Sequence, residues 1–291
     1  MTGASLVSRE APFGARLAAA MDEHGPLCVG VDPHAALLQQ WGLPDDAHGL
    51  REFSLRVLEA VAGHAAALKP QVAFFERHGS RGIAVLEELL ASARDAGVLT
   101  IVDAKRGDIG STMAAYADAF LRDGSPLAGD ALTVSPFLGF GSLAPAVDLA
   151  ASTGRGLFVL CLTSNPEGAA VQHATAPDGS TVAASIAAAA GRCNAGAAPL
   201  GSVGLVVGAT VGGAAVATGT DLAAVNGPLL APGVGAQGAG ADELRQVFGD
   251  ARPAVLASSS RGVLAGGPDI RGLRAAAVAA SSEATAALRE G

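Results

Sequence analysis

Short and nearly continuous apolar runs recur eight times along the chain, and segments with helical periodicity separate them. Runs without polar alternation are typical of strands that are buried on both faces, as in parallel sheets. Eight such strands alternating with helices over about 250 residues predict a (β/α)8 TIM barrel, with an open, doubly wound sheet as the main alternative. The candidate strands lie at residues 27–32, 67–75, 99–105, 131–135, 156–163, 203–208, 229–232 and 254–258.

The length and composition agree with a single catalytic domain that spans residues 1–291. Half of the residues are apolar, which is enough for a large core, and no linker or internal repeat divides the chain. The 27 acidic and 19 basic residues give a net charge of −8, which argues against nucleic acid as a partner. No apolar run is long enough to span a bilayer without charged or turn residues, so the sequence predicts no membrane partner.

Cysteine usage and the first residues of the chain favour a cytoplasmic location. Residues 1–16 are polar and mixed in charge, unlike a secretory signal. The three cysteines, Cys28, Cys161 and Cys193, include no CxxC pair, and the first two lie in apolar runs. We expect those two to be buried, reduced thiols.

Lysine is nearly absent from this chain. Of its 19 basic residues, 17 are arginines, and the two lysines are Lys69 and Lys105. An arginine stays charged at any working pH, whereas the proton affinity of a lysine can be adjusted by its neighbours. The two lysines are therefore candidates for proton chemistry.

Polar side chains interrupt the apolar runs near the carboxyl ends of the predicted strands. In a (β/α)8 barrel these ends form one rim, and the reactive groups lie there. Each such residue alone is more often a helix cap or a turn residue, but their joint placement on one rim favours an active site. The set comprises Asp32, Lys69, Asp103, Lys105, Ser164, Pro232, Gly233 and Arg261.

The densest of these segments reads DAKRGDIGST from Asp103 to Thr112. Alternation along a strand places Asp103 and Lys105 on the same side, and Asp108 follows after a glycine turn. A structural salt bridge would explain the pair, but buried charges are costly unless each has a partner. A lysine between two carboxylates keeps its proton, and two nearby carboxylates disfavour a third negative charge. The pattern therefore indicates a site that repels an anionic substrate group and holds an acid ready.

A second motif, GxGxxG at residues 233–238, follows the seventh predicted strand. It is similar to a dinucleotide fingerprint, but no acidic residue stands about 20 positions further on, where Ser258 lies instead. A glycine-rich loop at this place in a barrel binds phosphate through backbone N–H groups, and Arg261 can add a bidentate contact. A phosphorylated substrate is the better interpretation. Paired-cysteine zinc spacing, HExxH, GxSxG and P-loop motifs are absent from the sequence, so we expect no metal site.

The motif at residues 103–112 resembles that of the orotidine 5′-phosphate decarboxylase family, in its longer bacterial form. The likeness extends over nearly the whole chain and includes VDP at 31–33, LKPQ at 68–71, LTSNP at 162–166, PGVGAQG at 232–238 and SRG at 260–262. This resemblance implies a homodimeric (β/α)8 barrel without a cofactor. It also implies a carboxy-lyase that converts orotidine 5′-phosphate to UMP and CO2 in pyrimidine biosynthesis.

The resemblance also implies roles for the polar residues. Lys105 would donate a proton to C6 of the substrate, flanked by Asp103, while Lys69 would join this charge network. Lys69 and Asp32 would bind the ribose hydroxyls. Three residues would reach across the dimer interface into the partner's site: Asp108, Ile109 and Thr112.

The other substrate contacts that the resemblance implies lie on the later strands. Ser164 would contact the pyrimidine, and the phosphate end would be surrounded by Pro232, Gln237 and Arg261. Ser260 is a departure, because many relatives have glycine before the arginine. With serine at this position we still expect the phosphate contact, but the backbone geometry around Ser260 can differ from that of the relatives.

The residues also fit two other functions. A related barrel that acts on a sugar phosphate, such as a 3-keto-gulonate phosphate decarboxylase or a hexulose phosphate synthase, has a similar DxK pattern and uses Mg²⁺ to stabilise an enediolate. A non-catalytic barrel that binds a phosphorylated metabolite would keep Arg261 and the glycine loop. It would have no need of Asp103, Lys105 and Asp108 together.

Overall fold

A closed barrel of parallel strands forms the centre of the computed structural model, which describes residues 11–235 and 238–289. Within these residues the strands are β1 (Leu27–Val31), β2 (Ala67–Pro70), β3 (Leu99–Arg106), β4 (Ala131–Val134), β5 (Gly156–Leu162), β6 (Val203–Val207), β7 (Leu229–Pro232) and β8 (Val255–Ser259). Each strand pairs with the next along the chain, and β8 pairs with β1 to close the barrel. The predicted (β/α)8 barrel is confirmed, and the open sheet is wrong.

The end of β2 differs from the prediction. The apolar pattern predicts a strand to residue 75, but β2 ends at Pro70. Proline has no N–H to donate to a ladder, and Gln71 makes an isolated bridge to Asp103 before a helix begins at Ala73. Phe75 lies in that helix and is fully buried, so its apolar side chain packs in the core and does not belong to a strand.

Helices surround the barrel and cover the outer faces of the strands. The described α-helices are α1 (Phe13–His24), α2 (Ala35–Gln40), α3 (Ala47–Val61), α4 (Ala73–Glu76), α5 (Gly79–Asp95), α6 (Gly110–Leu121), α7 (Ala144–Ser152), α8 (Ala169–Gln172), α9 (Val182–Cys193), α10 (Ala214–Ala217), α11 (Ala241–Phe248), α12 (Arg261–Leu264) and α13 (Ile270–Arg289). On α5, Leu86, Leu90 and Ala93 are buried together, as one face of an amphipathic helix should be. In the described part of the chain, no helix combines the length and apolarity needed to cross a membrane.

The amino-terminal end of the barrel is closed by α1. Phe13, Leu17 and Met21 of this helix are buried in one cluster with side chains from inside the barrel. Phe13 packs edge-on against Phe158 of β5, with ring centroids 6.0 Å apart. Because α1 covers the barrel interior at this end, we expect the functional site at the carboxyl ends of the strands.

Candidate active site

Asp103 is the centre of a buried hydrogen-bonded network at the carboxyl end of the barrel. Its side chain is 8% exposed and forms ion pairs with both lysines of the chain. Lys69 Nζ lies 2.9 Å from Asp103 Oδ2, and Lys105 Nζ lies 2.6 Å from Asp103 Oδ1. The structure therefore brings together on one carboxylate the two lysines that the composition singles out.

Two neutral side chains complete the set of donors to Asp103. Thr133 Oγ1 donates to Oδ1 at 2.9 Å, and Gln71 Nε2 donates to Oδ2 at 3.0 Å. The carboxylate thus accepts four hydrogen bonds, which is about its full capacity. Sequence reasoning misses Thr133, although it is a polar residue within the apolar run of β4, and that contrast is the signal that could reveal it.

Charge pairing fixes the protonation states in this network. Burial works to raise the pKa of the Asp103 carboxyl, but the positive charges of Lys69 and Lys105 lower it from 3.8 to about 2. For Lys69, burial favours the neutral amine, yet the carboxylates of Asp103 and Asp32 outweigh it and raise the pKa above its ordinary value. Near neutral pH, Asp103 is therefore an anion and Lys69 is a cation.

Cys28 lies in β1, next to this charge network. It is fully buried, and desolvation raises the pKa of its thiol to about 12. The thiol is therefore protonated near neutral pH and is unsuited to act as a nucleophile. The prediction that Cys28 and Cys161 are buried, free thiols is confirmed, whereas Cys193 is exposed.

A bulge in β3 places Lys105 beside Asp103. Val102 pairs with Leu132, and the next pair along the strands is Arg106 with Val134. Three residues of β3, 103–105, therefore lie opposite a single residue of β4, Thr133. Lys105 has a φ of +48°, a left-handed conformation that non-glycine residues rarely adopt. The two side chains therefore meet through an irregular backbone, not through the simple alternation that the sequence suggests. The Lys105 side chain keeps 44% of its surface exposed, so the ammonium group is accessible to a substrate.

Asp32 and Ser260 lie beside each other at the ends of β1 and β8. A β-carbon at Gly30 would come within 3.1 Å of Asp32 Oδ2 and would overlap Ser260 Oγ. Asp32 Oδ1 is buried and has no hydrogen-bond partner among the described residues. Because an unsatisfied buried acceptor is costly, this oxygen is suited to accept a hydrogen bond from a ligand hydroxyl.

Three further predicted residues lie on the same rim. Ser164 follows β5, Pro232 ends β7, and Arg261 begins α12 directly after β8. All three are exposed. The side chain of Arg261 forms no hydrogen bond or ion pair with other residues that the structure describes, so its guanidinium group is available to an anion.

The described glycines of the glycine-rich segment adopt unusual backbone conformations after β7. Gly233 and Gly235 have φ values of +92° and +115°, which only glycine adopts without strain. The amide of Ala239 donates to the carbonyl oxygen of Gly233 at 2.8 Å. Gln237, a predicted phosphate contact, lies outside the described residues.

The side chains of Asp108, Ile109 and Thr112 form no hydrogen bond or ion pair with either lysine. Asp108 Oδ1 accepts a hydrogen bond from the amide of Ile109 at 2.8 Å, and Asp108 forms no ion pair with any described residue. Thr112 is exposed in α6, and Ile109 is 62% exposed just before it. On the loop after β4, Phe137 and Leu138 are 76% and 54% exposed. We refer to these three exposed apolar side chains, Ile109, Phe137 and Leu138, as the apolar rim patch.

A cavity of about 610 Å³ lies at the opposite, amino-terminal end of the barrel. Arg16 in its wall pairs with Asp130 and donates to the carbonyl oxygen of Gly154 at 3.1 Å. Arg155, also in the wall, donates to the carbonyl oxygen of Gly129 at 2.9 Å. These hydrogen bonds stabilise the loops that precede β5 and β4. None of the predicted site residues lines the cavity. We therefore do not assign the active site to this cavity, despite its volume.

Known proteins resemble this chain over nearly its whole length. The family model described as orotidine 5′-phosphate decarboxylase / HUMPS family matches residues 25–274. The orotidine 5′-phosphate decarboxylase of Salinispora arenicola is 61% identical over 276 residues, which cover 95% of this chain and 98% of that protein. The enzyme of the same name from Streptomyces coelicolor is 62% identical over 266 residues, which cover 91% and 94% of the two chains.

Solved structures give the same result. A crystal structure from Streptomyces avermitilis, assigned to the same enzyme, has a TM-score of 0.91 and 61% identity and covers 96% of each chain. The structure of Leishmania donovani OMP decarboxylase has a TM-score of 0.74 and 31% identity, and covers 96% of this chain and 100% of that one. The chain belongs to the orotidine 5′-phosphate decarboxylase / HUMPS family.

Proposed function

We propose that this chain decarboxylates orotidine 5′-phosphate to UMP and CO2 with Lys105 as the proton donor. The activity, a carboxy-lyase step of pyrimidine biosynthesis, is that of relatives that are 60–62% identical over nearly the full chain. The residue assignment is carried by one observation, the pairing of both lysines with the Asp103 carboxylate at the open end of the barrel.

The reaction breaks the bond between C6 of the pyrimidine and its carboxylate carbon. CO2 leaves, and the bonding electron pair stays on C6, where the ring delocalises it poorly. The Lys105 ammonium group stabilises this negative charge and transfers a proton to C6, which yields UMP and a neutral amine that regains its proton from solvent. The anionic Asp103 disfavours the carboxylate of the bound substrate and so favours its departure.

The remaining rim residues bind the substrate in this proposal. Asp32 and Lys69 bind the ribose hydroxyls, and the buried, unpartnered oxygen of Asp32 supports that role. Ser164 contacts the pyrimidine. The phosphate end is held by Pro232, Gln237, Ser260 and Arg261. Binding energy from the phosphate, which is remote from C6, organises the site for the reaction.

A homodimer completes the site in this proposal. Asp108, Ile109 and Thr112 extend into the active site of the partner subunit. Asp108 forms no ion pair with any described residue, which supports a partner from a second chain. The apolar rim patch supports a second copy of the chain as the partner, because large apolar side chains that are exposed near a rim are suited to a contact surface.

A cytoplasmic location is also part of the proposal. All three cysteines are free thiols, a state that a reducing compartment maintains. Fractionation of cells that express the chain from its own promoter would test the location.

The decisive experiment is a spectrophotometric decarboxylation assay on the purified protein without added metal. Wild type should convert orotidine 5′-phosphate to UMP in the presence of EDTA, and Lys105→Ala should lose this activity while still binding UMP. Loss of the wild-type activity in EDTA would favour the Mg²⁺-dependent sugar-phosphate barrel. Binding of UMP without turnover, unaffected by Lys105→Ala, would favour the non-catalytic barrel. Asp103 already accepts four hydrogen bonds, which leaves it little capacity for a metal ion.

A further inference from the structure

Thr133 is the residue of β4 that faces the bulge in β3. It is 1% exposed and is the polar residue of the otherwise apolar segment Ala131–Val134. Its hydroxyl accepts a hydrogen bond from the backbone N–H of Lys105 at 2.9 Å and donates one to Asp103 Oδ1 at 2.9 Å. One hydroxyl therefore joins the backbone of one network residue to the side chain of the other.

These hydrogen bonds lie at the bulge in β3. The bulge takes the Lys105 amide out of the regular ladder, and a buried N–H without an acceptor is unfavourable. Thr133 supplies that acceptor, and Lys105 keeps its left-handed φ of +48°. Because the backbone conformation of Lys105 directs its side chain, the Thr133 hydroxyl controls where the ammonium group lies.

We propose that Thr133 is a positioning residue for decarboxylation, which holds Lys105 against Asp103 through the bulge. This inference rests on the proposed function, because it concerns the placement of the proposed proton donor. Thr133 acts through its two partners and is not assigned a contact with substrate. Its removal should therefore slow the chemical step more than it weakens substrate binding.

A second threonine provides a matched control. Thr100 is 3% exposed at the amino-terminal end of the barrel, and its hydroxyl has the same pattern of one carboxylate acceptor and one backbone donor. Thr100 Oγ1 donates to Asp130 Oδ2 at 3.2 Å and accepts from the Asp130 amide at 3.3 Å. Loss of either hydroxyl removes one hydrogen bond to a carboxylate and one from a backbone amide, but of the two threonines only Thr133 is linked to the lysines.

The test compares Thr133→Val, Thr133→Ser and Thr100→Val in steady-state assays with orotidine 5′-phosphate. Valine keeps the shape of threonine without the hydroxyl. Thr133→Val should lower kcat by about 10- to 100-fold, with KM changed by less than about threefold, because small misplacements of catalytic groups have effects of this size. Thr133→Ser restores the hydroxyl and should recover most of kcat. Thr100→Val should also lower the Tm, because it removes the same two kinds of hydrogen bond, and should leave kcat near that of wild type.

Several outcomes would overturn the inference while leaving the proposed function intact. One is an active wild type in which Thr133→Val keeps kcat within about threefold. Another is an equal loss of kcat in Thr100→Val, which would show a general effect of stability. A third is a Thr133→Ser variant as slow as Thr133→Val. If Thr133→Val does not fold, Thr133→Ala supplies the variant without a hydroxyl, with the same expected results. Failure of wild type to decarboxylate the substrate would instead overturn the proposed function.

Discussion

The hydroxyl of Ser260 occupies the space next to Gly30 that a β-carbon there would require. Gly30 lies in β1 and Ser260 follows β8, the two strands whose pairing closes the barrel. Gly30 provides the room for the serine side chain. The two residues therefore form a steric pair beside Asp32.

Gly30→Ala should disturb this pair. The added methyl group would overlap Ser260 Oγ, and overpacking of this kind costs about 1–3 kcal/mol. We expect a lower Tm and a lower kcat/KM, because Arg261 follows Ser260 directly. In Gly30→Ala/Ser260→Gly the overlap is removed, and both quantities should return toward wild type. Thermal unfolding and kinetics on the two single variants, the double variant and wild type measure the coupling. Losses that simply add in the double variant would contradict the steric pairing.

The lowered pKa of Asp103 predicts a loss of stability in acid. A carboxyl with a pKa of about 2 in the folded chain, against an ordinary 3.8, stabilises the fold above about pH 4. This contribution is lost as the pH falls toward 2, and it amounts to roughly 2 kcal/mol, since one pKa unit corresponds to about 1.4 kcal/mol. Asp103→Asn should be less stable than wild type near neutral pH, because Lys69 is then buried without its counter-charge.

The measurement is the free energy of unfolding of both proteins between pH 6 and pH 2. The difference between wild type and Asp103→Asn should be constant down to about pH 4 and should shrink below it. Equal acid sensitivity of the two proteins over this range would show that Asp103 does not carry the effect.

The proposed sharing of active sites between subunits predicts complementation between two variants that are each inactive alone. In a mixed dimer of Lys105→Ala and Asp108→Asn subunits, one of the two sites contains both substitutions and the other contains neither. Random mixing with subunit exchange should therefore restore about a quarter of wild-type activity, because half of the dimers are hybrids with one intact site each. Mixing Lys105→Ala with Asp103→Asn is the control, since these residues lie in the same subunit's site and no intact site can form. Recovery in the control mixture, or none in the first, would rule out the sharing of sites through Asp108.

The apolar runs predict the barrel and the rim, because strands buried on both faces have few polar residues except where they end. Asp32, Lys69 and Asp103 can be placed on the rim from sequence for this reason. The apolar character of Phe75 is equally compatible with a strand and with a buried helix, so the same pattern overestimates β2. The path of the chain from Asp103 to Lys105 cannot be predicted in this way.

That path depends on a contact between β3 and β4 that is not local in sequence. Thr133 accepts a hydrogen bond from the amide of Lys105, which is 28 residues away in the sequence. The bulge is defined by the pairing of β3 with β4, so it requires both strands. The place of Asp108 depends on a surface outside its own chain in the proposed dimer. The spacing of charged residues therefore identifies the participants in the site, and tertiary packing determines how they meet.

Arg261→Ala should reduce kcat/KM for orotidine 5′-phosphate by at least about 100-fold, a loss of roughly 2.7 kcal/mol in transition-state stabilisation. The guanidinium group is exposed on the rim and has no partner in the described chain, so its removal should cost binding of the phosphate and little stability. Arg271→Ala in α13 is the matched control, because that side chain is 96% exposed and its ion pair to Asp269 spans 3.9 Å. Steady-state kinetics and the Tm of both variants are the measurements. Near-normal kcat/KM in Arg261→Ala would refute the phosphate contact, whereas an equal loss in Arg271→Ala would point to an effect of net charge.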